Sequence, residues 1–156
     1  MPWRRRLEPL VTPVFRQLWR ITRGMTLGVR GLVVDDEGRV LLIEHTYVKG
    51  WYLPGGGVEH GEAAEAALAR ELVEEAGIEA SGPMTLVSVH DNRRSFPNDH
   101  VLLFRVDAWR PVDATSRGEI LNRGWFAPDA LPDGVTPGTR ARLREVFQGA
   151  PRDPVW

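Results

Sequence analysis

The order of apolar and polar residues along the chain predicts strands and helices in mixed order. β-Forming residues dominate from residue 25 to about 34, and residues 39–44 form a second such run. Residues 35–38, Asp-Asp-Glu-Gly, have the composition of a turn, which predicts a β-hairpin between the two runs. Further strands are predicted near residues 84–90, 101–109 and 122–126.

Two helices are predicted among these strands. Residues 62–76 are an unbroken run of strong helix formers, and Gly77 follows at the position of a C-terminal cap. A last helix is predicted from about residue 139 to 148. Strands and helices in this order predict an α/β sandwich built on a mixed β-sheet.

The first 24 residues differ in character from the rest. Thr12 and Pro13 fit an N-cap and a first helical position, and Gly24 fits a helix stop. The apolar residues between them recur at helical spacing: Val14, Phe15, Leu18 and Ile21. Because residues 1–30 hold seven arginines against one glutamate, we predict a basic amphipathic helical extension over residues 1–24.

Three interpretations of this extension stay open. Its apolar stripe can pack on the domain or on a second subunit, which would give a homodimer. It can instead lie on an anionic membrane surface or contact nucleic acid. Packing is favoured, because Pro9 and Pro13 would interrupt a long helix.

The length of 156 residues fits one domain, which we assign to residues 25–150, with residues 151–156 as a C-terminal tail. The net charge of −1 provides no general attraction to nucleic acid, so we expect no stable nucleic-acid partner. The chain has no cysteine, which excludes disulfides and thiolate metal sites.

No stretch of the sequence is apolar over the roughly 20 residues that a membrane span needs. Arg16, Gln17 and Arg20 interrupt the apolar stretch that a signal peptide would require. We therefore expect a cytoplasmic protein without a membrane span.

Three carboxylates fall on one face of the predicted helix 62–76. Glu71, Glu74 and Glu75 are spaced i, i+3 and i+4, so their side chains are neighbours. A solvated helix face is the simplest interpretation of such a run. Their mutual repulsion would be relieved, however, if magnesium or manganese lay between them, since both cations prefer carboxylate oxygen.

The carboxylates belong to a longer pattern, which decides between these interpretations. Residues 56–78 read GGVEHGEAAEAALARELVEEAGI. With U for an aliphatic residue, this stretch resembles the Nudix box, G-x5-E-x7-R-E-U-x-E-E-x-G-U, at every fixed position. The resemblance implies a Nudix-type α/β/α sandwich. It also implies a Mg²⁺-dependent hydrolase, with Mn²⁺ as a substitute, that cleaves a diphosphate linkage in a nucleoside diphosphate-X compound by metal-activated water.

The resemblance implies roles for individual residues as well. Glu71, Glu74 and Glu75 match the metal ligands of the family, and the Gly56 carbonyl matches a further ligand. Arg70 and Glu62 match residues that brace the junction between loop and helix. The catalytic base varies within the family. Here the candidates are Glu74, Glu75 and Glu119, which precedes Trp125-Phe126 on a predicted loop.

Weaker candidates for substrate binding lie elsewhere in the sequence. Arg93, Arg94 and His100 could face the substrate, because arginine pairs with phosphate and stacks on bases. Trp51 and Tyr52, just before the glycines, could stack on a base. In each case an ordinary turn or core residue is the alternative.

Substrate identity stays open between a nucleoside triphosphate and a nucleotide sugar, because the added motifs of several subfamilies are missing. Two other functions are alternatives. One is a nucleotide-sensing binding module without hydrolysis, and the other is an RNA 5′-pyrophosphohydrolase with the basic residues 4–6 guiding the strand.

Overall fold

The computed structural model describes residues 24–116 and 118–156. The helix predicted within residues 1–24 lies outside the described residues. The elements, in chain order, are β1 Thr26–Val33, β2 Val40–His45, β3 Trp51–Tyr52, α1 Ala64–Glu71, a π-helix Leu72–Ala76, β4 Ile78–Ala80, β5 Thr85–Asp91, β6 Asp99–Val106, β7 Trp109–Pro111, β8 Ile120–Phe126 and α2 Pro137–Phe147. No helix in this part of the chain has the length and apolarity needed to cross a membrane.

The strands form two three-stranded sheets and a two-stranded ribbon. In the first sheet, of order β1–β6–β5, β1 is parallel to β6 and β5 is antiparallel to it. In the second, of order β3–β2–β8, all pairs are antiparallel. The ribbon pairs β4 with β7. The expected mixed sheet is confirmed.

Strand β1 lies between two cores because its side chains alternate between its faces. Val29 and Val33 pack with Leu68 and Leu72 of the helical segment. Leu32 and Val34, whose side chains alternate with these along the chain, belong to a second core that includes Leu143 of α2. The two helices therefore cover opposite faces of β1, as the expected α/β/α sandwich requires.

The predicted turn at residues 35–38 is present, with the Asp35 amide donating to the Arg39 carbonyl at 3.0 Å, but the predicted pairing of the first two strands in a hairpin is wrong. The strands belong to different sheets and pair only through an isolated antiparallel bridge between Val34 and Val40. One edge of β1 is paired with β6, and the other binds residues 54–57, which we call the glycine loop. The amides of Val29 and Gly31 donate to the carbonyls of Gly56 and Pro54, at 2.9 and 2.8 Å. The loop thus occupies the edge that β2 would need.

The predicted helix 62–76 is not one unbroken α-helix. Helix α1 begins at Ala64, and the chain continues from Leu72 as a π-helix. Gly77 ends it in a left-handed conformation (φ 66°), with its amide donating to the Leu72 carbonyl. The last turn is held by distant groups, because Arg123 donates to the Glu75 carbonyl and the Ser116 amide donates to the Glu74 carbonyl. At the other end of the domain, α2 begins two residues earlier than predicted, with Pro137 in its first turn.

Candidate active site

Arg70, in the last turn of α1, forms hydrogen bonds with four groups of the Nudix-like segment: Glu62, Glu71, Glu74 and the Gly57 carbonyl. Its Nε and Nη2 donate to the two carboxylate oxygens of Glu62 at 3.0 and 3.1 Å. Nη1 donates to Glu71 Oε1 at 2.7 Å, and Nη2 also donates to the Gly57 carbonyl at 3.2 Å. The hydrogen bonds with Glu62 and Glu71 raise the pKa of Arg70, and its guanidinium lowers that of Glu62. Arg70 thus ties the helix to the glycine loop.

Glu75, on the π-helix, is the most buried of the three neighbouring carboxylates, with 6% of its surface exposed. Its Oε2 accepts a hydrogen bond from the Gly55 amide at 2.9 Å. Burial raises the pKa of Glu75 to about 7, and the negative charges of Glu71 and Glu119 act in the same direction. The Gly55 amide and the cation of Arg30 oppose this shift.

Gly56 lies directly against the carboxylate of Glu71. A Cβ atom at residue 56 would lie 2.4 Å from Glu71 Oε1, so any larger residue would push the carboxylate away. The Gly56 carbonyl already accepts the Val29 amide at 2.9 Å. A carbonyl oxygen has two lone pairs, so it can accept one further partner.

Glu74 and Glu119 are more accessible than Glu75. The side chain of Glu74 is 41% exposed, and one of its oxygens lies 3.5 Å from Arg70 Nη1. Glu119 is exposed on the chain just before β8, and its carbonyl accepts the Thr46 amide at 2.9 Å. Both carboxylates are therefore accessible to a ligand, although that of Glu74 is paired with Arg70.

The described residues contain no group of three acidic or histidine side chains that could hold a metal ion as they stand. The donor chemistry nevertheless fits magnesium or manganese, which take carboxylate and carbonyl oxygens. Glu71 lies against Gly56, and Glu75 is bonded to Gly55, so both carboxylates flank the same loop. The residues able to hold a cation are Glu71, Glu74, Glu75 and the Gly56 carbonyl.

Arg30, on β1, is a site residue that sequence reasoning missed. Its Nη1 donates to the carbonyls of Leu53 and Gly55, at 3.1 and 2.6 Å. Burial lowers the pKa of Arg30, and the nearby carboxylates of Glu75 and Glu71 oppose that effect. The signal in the sequence is an arginine within a run of apolar β-formers, because arginine is seldom buried without a partner.

His45, at the end of β2, was also missed. Its ring lies between those of Tyr47 and Tyr52, with centroid distances of 5.0 and 5.5 Å. Its Nδ1 is buried without a hydrogen-bond partner and lies 3.8 Å from Glu75 Oε1. Burial, followed by the positive charge of Arg30, lowers the pKa of His45. His45 and Glu75 are far apart in the sequence and share no motif, so the sequence does not predict that they lie close together.

A cavity of about 530 Å³ opens next to Tyr52. Residues lining it include Tyr52, Arg94, Thr136, Gly138, Arg142 and Trp156. Tyr52 contacts the ring of His45, and His45 Nδ1 lies 3.8 Å from Glu75 Oε1. One side chain, that of His45, therefore connects the wall of the cavity with Glu75. Two of the residues predicted to bind substrate, Tyr52 and Arg94, thus share one cavity.

The other predicted substrate residues lie elsewhere. Trp51 packs edge-on against Phe126, with ring centroids 5.0 Å apart, and belongs to the second core. Arg93 forms an ion pair with Asp91. His100 lies on β6, with its Nδ1 buried and without a hydrogen-bond partner among the described residues. None of these three side chains lines the cavity beside Tyr52.

Comparison with known proteins shows to which family the chain is similar. Residues 24–148 match the family model described as the NUDIX domain. The chain is 32% identical over 125 residues to the MutT-like protein of Streptomyces ambofaciens, covering 80% of this chain and 79% of that protein. It is 30% identical over 128 residues to the 8-oxo-dGDP phosphatase NUDT18 of Mus musculus, covering 80% of this chain and 39% of that protein.

A solved structure agrees. The crystal structure of a MutT NUDIX hydrolase from Burkholderia pseudomallei superimposes with a TM-score of 0.68 at 31% identity, covering 78% of this chain and 98% of that one. The expected resemblance and the expected α/β fold are both confirmed.

Proposed function

The chain belongs to the Nudix family of hydrolases that act on phosphoric anhydrides, and we propose that its substrate is a nucleoside diphosphate linked to a further group. One observation carries this proposal. Glu71 and Glu75 flank a single glycine loop, and the chain just before that loop opens, at Tyr52, into a cavity large enough for a nucleoside.

Magnesium is the proposed cofactor, and manganese can replace it. Bound there, the cation would offset the charge of the phosphate oxygens and make water a stronger nucleophile. Glu71, Glu74, Glu75 and the Gly56 carbonyl would hold it. Arg70 keeps Glu71 in place through its hydrogen bond and fixes the loop through the Gly57 carbonyl.

A carboxylate is needed to accept the proton of the attacking water. The water oxygen attacks phosphorus, a new P–O bond forms, and the anhydride P–O bond breaks to give two phosphorylated products. Glu74 and Glu119 suit the task because their carboxylates are more accessible than that of Glu75. Glu75 is a third candidate, although its Oε2 is already bonded to the Gly55 amide.

The nucleoside is proposed to lie in the cavity beside Tyr52 and Arg94. Both side chains can stack on a planar base, and arginine also pairs with phosphate. The similarity to a relative named for 8-oxo-dGDP supports a purine nucleotide. Nucleoside triphosphates and nucleotide sugars both belong to the proposed class.

The test is hydrolysis by purified protein of nucleoside triphosphates, their 8-oxo-purine forms, nucleotide sugars and dinucleotides with magnesium. We expect Glu75→Gln to reduce turnover at least a hundredfold, and Glu65→Gln, at an exposed position of α1, to leave it unchanged. Pyrophosphate with a monophosphate would identify a triphosphate substrate, and a monophosphate with a sugar phosphate would identify a nucleotide sugar. Undiminished turnover by Glu75→Gln at saturating magnesium would rule out the proposed role of Glu75.

The same assay separates the two alternative functions. Nucleotide binding without any turnover would indicate a sensing module. Release of pyrophosphate from 5′-triphosphorylated RNA, with binding that weakens steeply as salt increases, would indicate an RNA-directed enzyme. A homodimer through the N-terminal helix and a cytoplasmic location stay predictions.

A further inference from the structure

Residues 153–156 form an additional strand-like segment beyond the part of the chain that matches the family model. The Asp91 amide, at the end of β5, donates to the Pro154 carbonyl at 2.8 Å. The Trp156 amide donates back to the Asp91 carbonyl at 2.9 Å, and Val155 forms a parallel bridge with Asp91. The segment therefore continues the edge of the first sheet.

A buried polar cluster holds this segment in place. The Asp153 amide donates to Glu145 Oε1 at 2.9 Å, and Arg142 Nη2 donates to the same oxygen at 2.6 Å. Arg142 Nη1 donates to the Val155 carbonyl at 3.2 Å. Nδ1 of His90 lies at hydrogen-bond distance, 2.7 Å, from the Asp153 carbonyl oxygen. Residues 153–156 are thus held by hydrogen bonds to four residues of the domain: His90, Asp91, Arg142 and Glu145.

The result of this anchoring is a defined position for the indole of Trp156. A Cβ atom at Gly138, in the first turn of α2, would lie 2.5 Å from the indole Nε1, so the ring rests directly on that glycine. The Arg142 guanidinium lies 5.4 Å from the ring centroid, and the His90 ring packs against it edge-on at 5.6 Å. Trp156 and Tyr52 both line the cavity, and Tyr52 contacts the ring of His45, whose Nδ1 lies 3.8 Å from Glu75 Oε1.

We propose that Trp156 is a substrate-binding residue that forms one wall of the nucleoside site and contacts the planar base of the bound nucleotide. The proposal rests on the proposed function, because it assigns the cavity to the nucleoside of that substrate. An indole offers a large rigid face, and stacking of a base on an aromatic ring tolerates every base. Arg94, lining the same cavity, supplies a cation for the phosphate end.

The first test compares two inhibitors of the hydrolysis. GMP carries a nucleoside, whereas inorganic pyrophosphate does not. We expect Trp156→Ala to raise KM for the nucleotide substrate and to weaken inhibition by GMP at least tenfold, with kcat within threefold of wild type and inhibition by pyrophosphate unchanged. Trp156→Phe, which keeps an aromatic wall, is expected to bind GMP within threefold of wild type.

The second test examines whether the position of the Trp156 indole determines how strongly GMP binds. The methyl group of Gly138→Ala would displace the ring, so this variant is also expected to weaken GMP binding. In the Trp156→Ala background the same substitution should have little effect, because the group that it displaces is gone. Trp109→Ala, at a half-buried tryptophan stacked on Trp125, serves as the matched control. It should leave GMP inhibition unchanged.

The outcomes distinguish this proposal from the proposed function. Equal losses of GMP and pyrophosphate inhibition in Trp156→Ala, or no loss of either, would overturn the role of Trp156 even if hydrolysis is normal. If wild type hydrolyses no nucleotide, calorimetric titration with GMP replaces the inhibition assay. A tenfold loss of GMP binding in Trp156→Ala would then support the proposed role of Trp156 in binding the nucleoside, although the proposed hydrolytic function would be refuted.

Discussion

Replacement of Glu75 by glutamine tests whether the burial of this carboxylate makes the metal-free protein less stable at neutral pH. Burial raises the pKa of Glu75 from 4.5 to about 7. A raised pKa means that the folded state holds a proton that the unfolded state has lost between these two values. The stability associated with this proton is therefore fully present below about pH 4.5 and is lost as the pH rises through 7.

The size of the effect follows from the shift. One pKa unit corresponds to about 1.4 kcal/mol, so ionised Glu75 costs the folded state about 3 kcal/mol above pH 7. Glutamine does not titrate, yet its amide oxygen can still accept the Gly55 hydrogen bond. The free energy of unfolding of Glu75→Gln, relative to wild type, should rise by about 3 kcal/mol between pH 4 and pH 8. For a domain of this size that is roughly 6–12 °C in Tm.

The assay is thermal or urea unfolding of both proteins in EDTA across that pH range. Titration of the groups that do not interact with Glu75 cancels in the difference between the two proteins. Glu65→Gln, at an exposed position of the same helix, should change stability by less than about 0.5 kcal/mol at every pH. Magnesium at pH 8 should stabilise wild type and have much less effect on Glu75→Gln. A difference between wild type and Glu75→Gln that does not vary with pH would refute the reasoning.

Two further substitutions test the glycine loop and its anchor. Gly55 has φ 140°, and a Cβ there would lie 2.1 Å from the Val29 carbonyl oxygen. Gly55→Ala should therefore abolish activity and lower the free energy of unfolding by more than about 2 kcal/mol in urea denaturation, whereas the uncrowded Gly57→Ala should lower it by less than about 1 kcal/mol. Arg70→Lys keeps the charge but loses the two-pronged contact with Glu62, so the magnesium concentration for half-maximal activity should rise about 10–100-fold. An unchanged magnesium requirement would show that Arg70 does not position the ligands.

The elements of the Nudix-like segment could be predicted from the sequence because local chemistry determines them. Strong helix formers from residue 62 and a glycine at the end place the helix and its cap within two residues. The change from α-helix to π-helix could not be predicted from local sequence. The carbonyls of its last turn accept hydrogen bonds from Arg123 and from the Ser116 amide, which come from distant parts of the chain.

Some site residues could likewise be predicted from local sequence, and others could not. The box glutamates and Arg70 share one short motif, so their neighbourhood follows from spacing alone. Arg30 and His45 are brought to the site only by strand pairing, and the anchored tail brings Trp156 to the proposed nucleoside site. Of the three, only Arg30 carries a local signal, because it is an arginine within a run of β-formers. The false hairpin has a similar origin, because turn composition gave no sign that a loop would occupy the edge of β1.

The attachment of the glycine loop to β1 also affects the solubility of the protein. A strand with an unpaired edge is a template for pairing with other chains, and β1 is rich in apolar residues. The loop covers that edge, because its carbonyls accept hydrogen bonds from the amides of β1. Substitutions that release the loop would therefore do more than inactivate the enzyme. They would expose an apolar strand edge and favour self-association, so the short stretch of backbone proposed to serve catalysis would also protect the folded chain from aggregation.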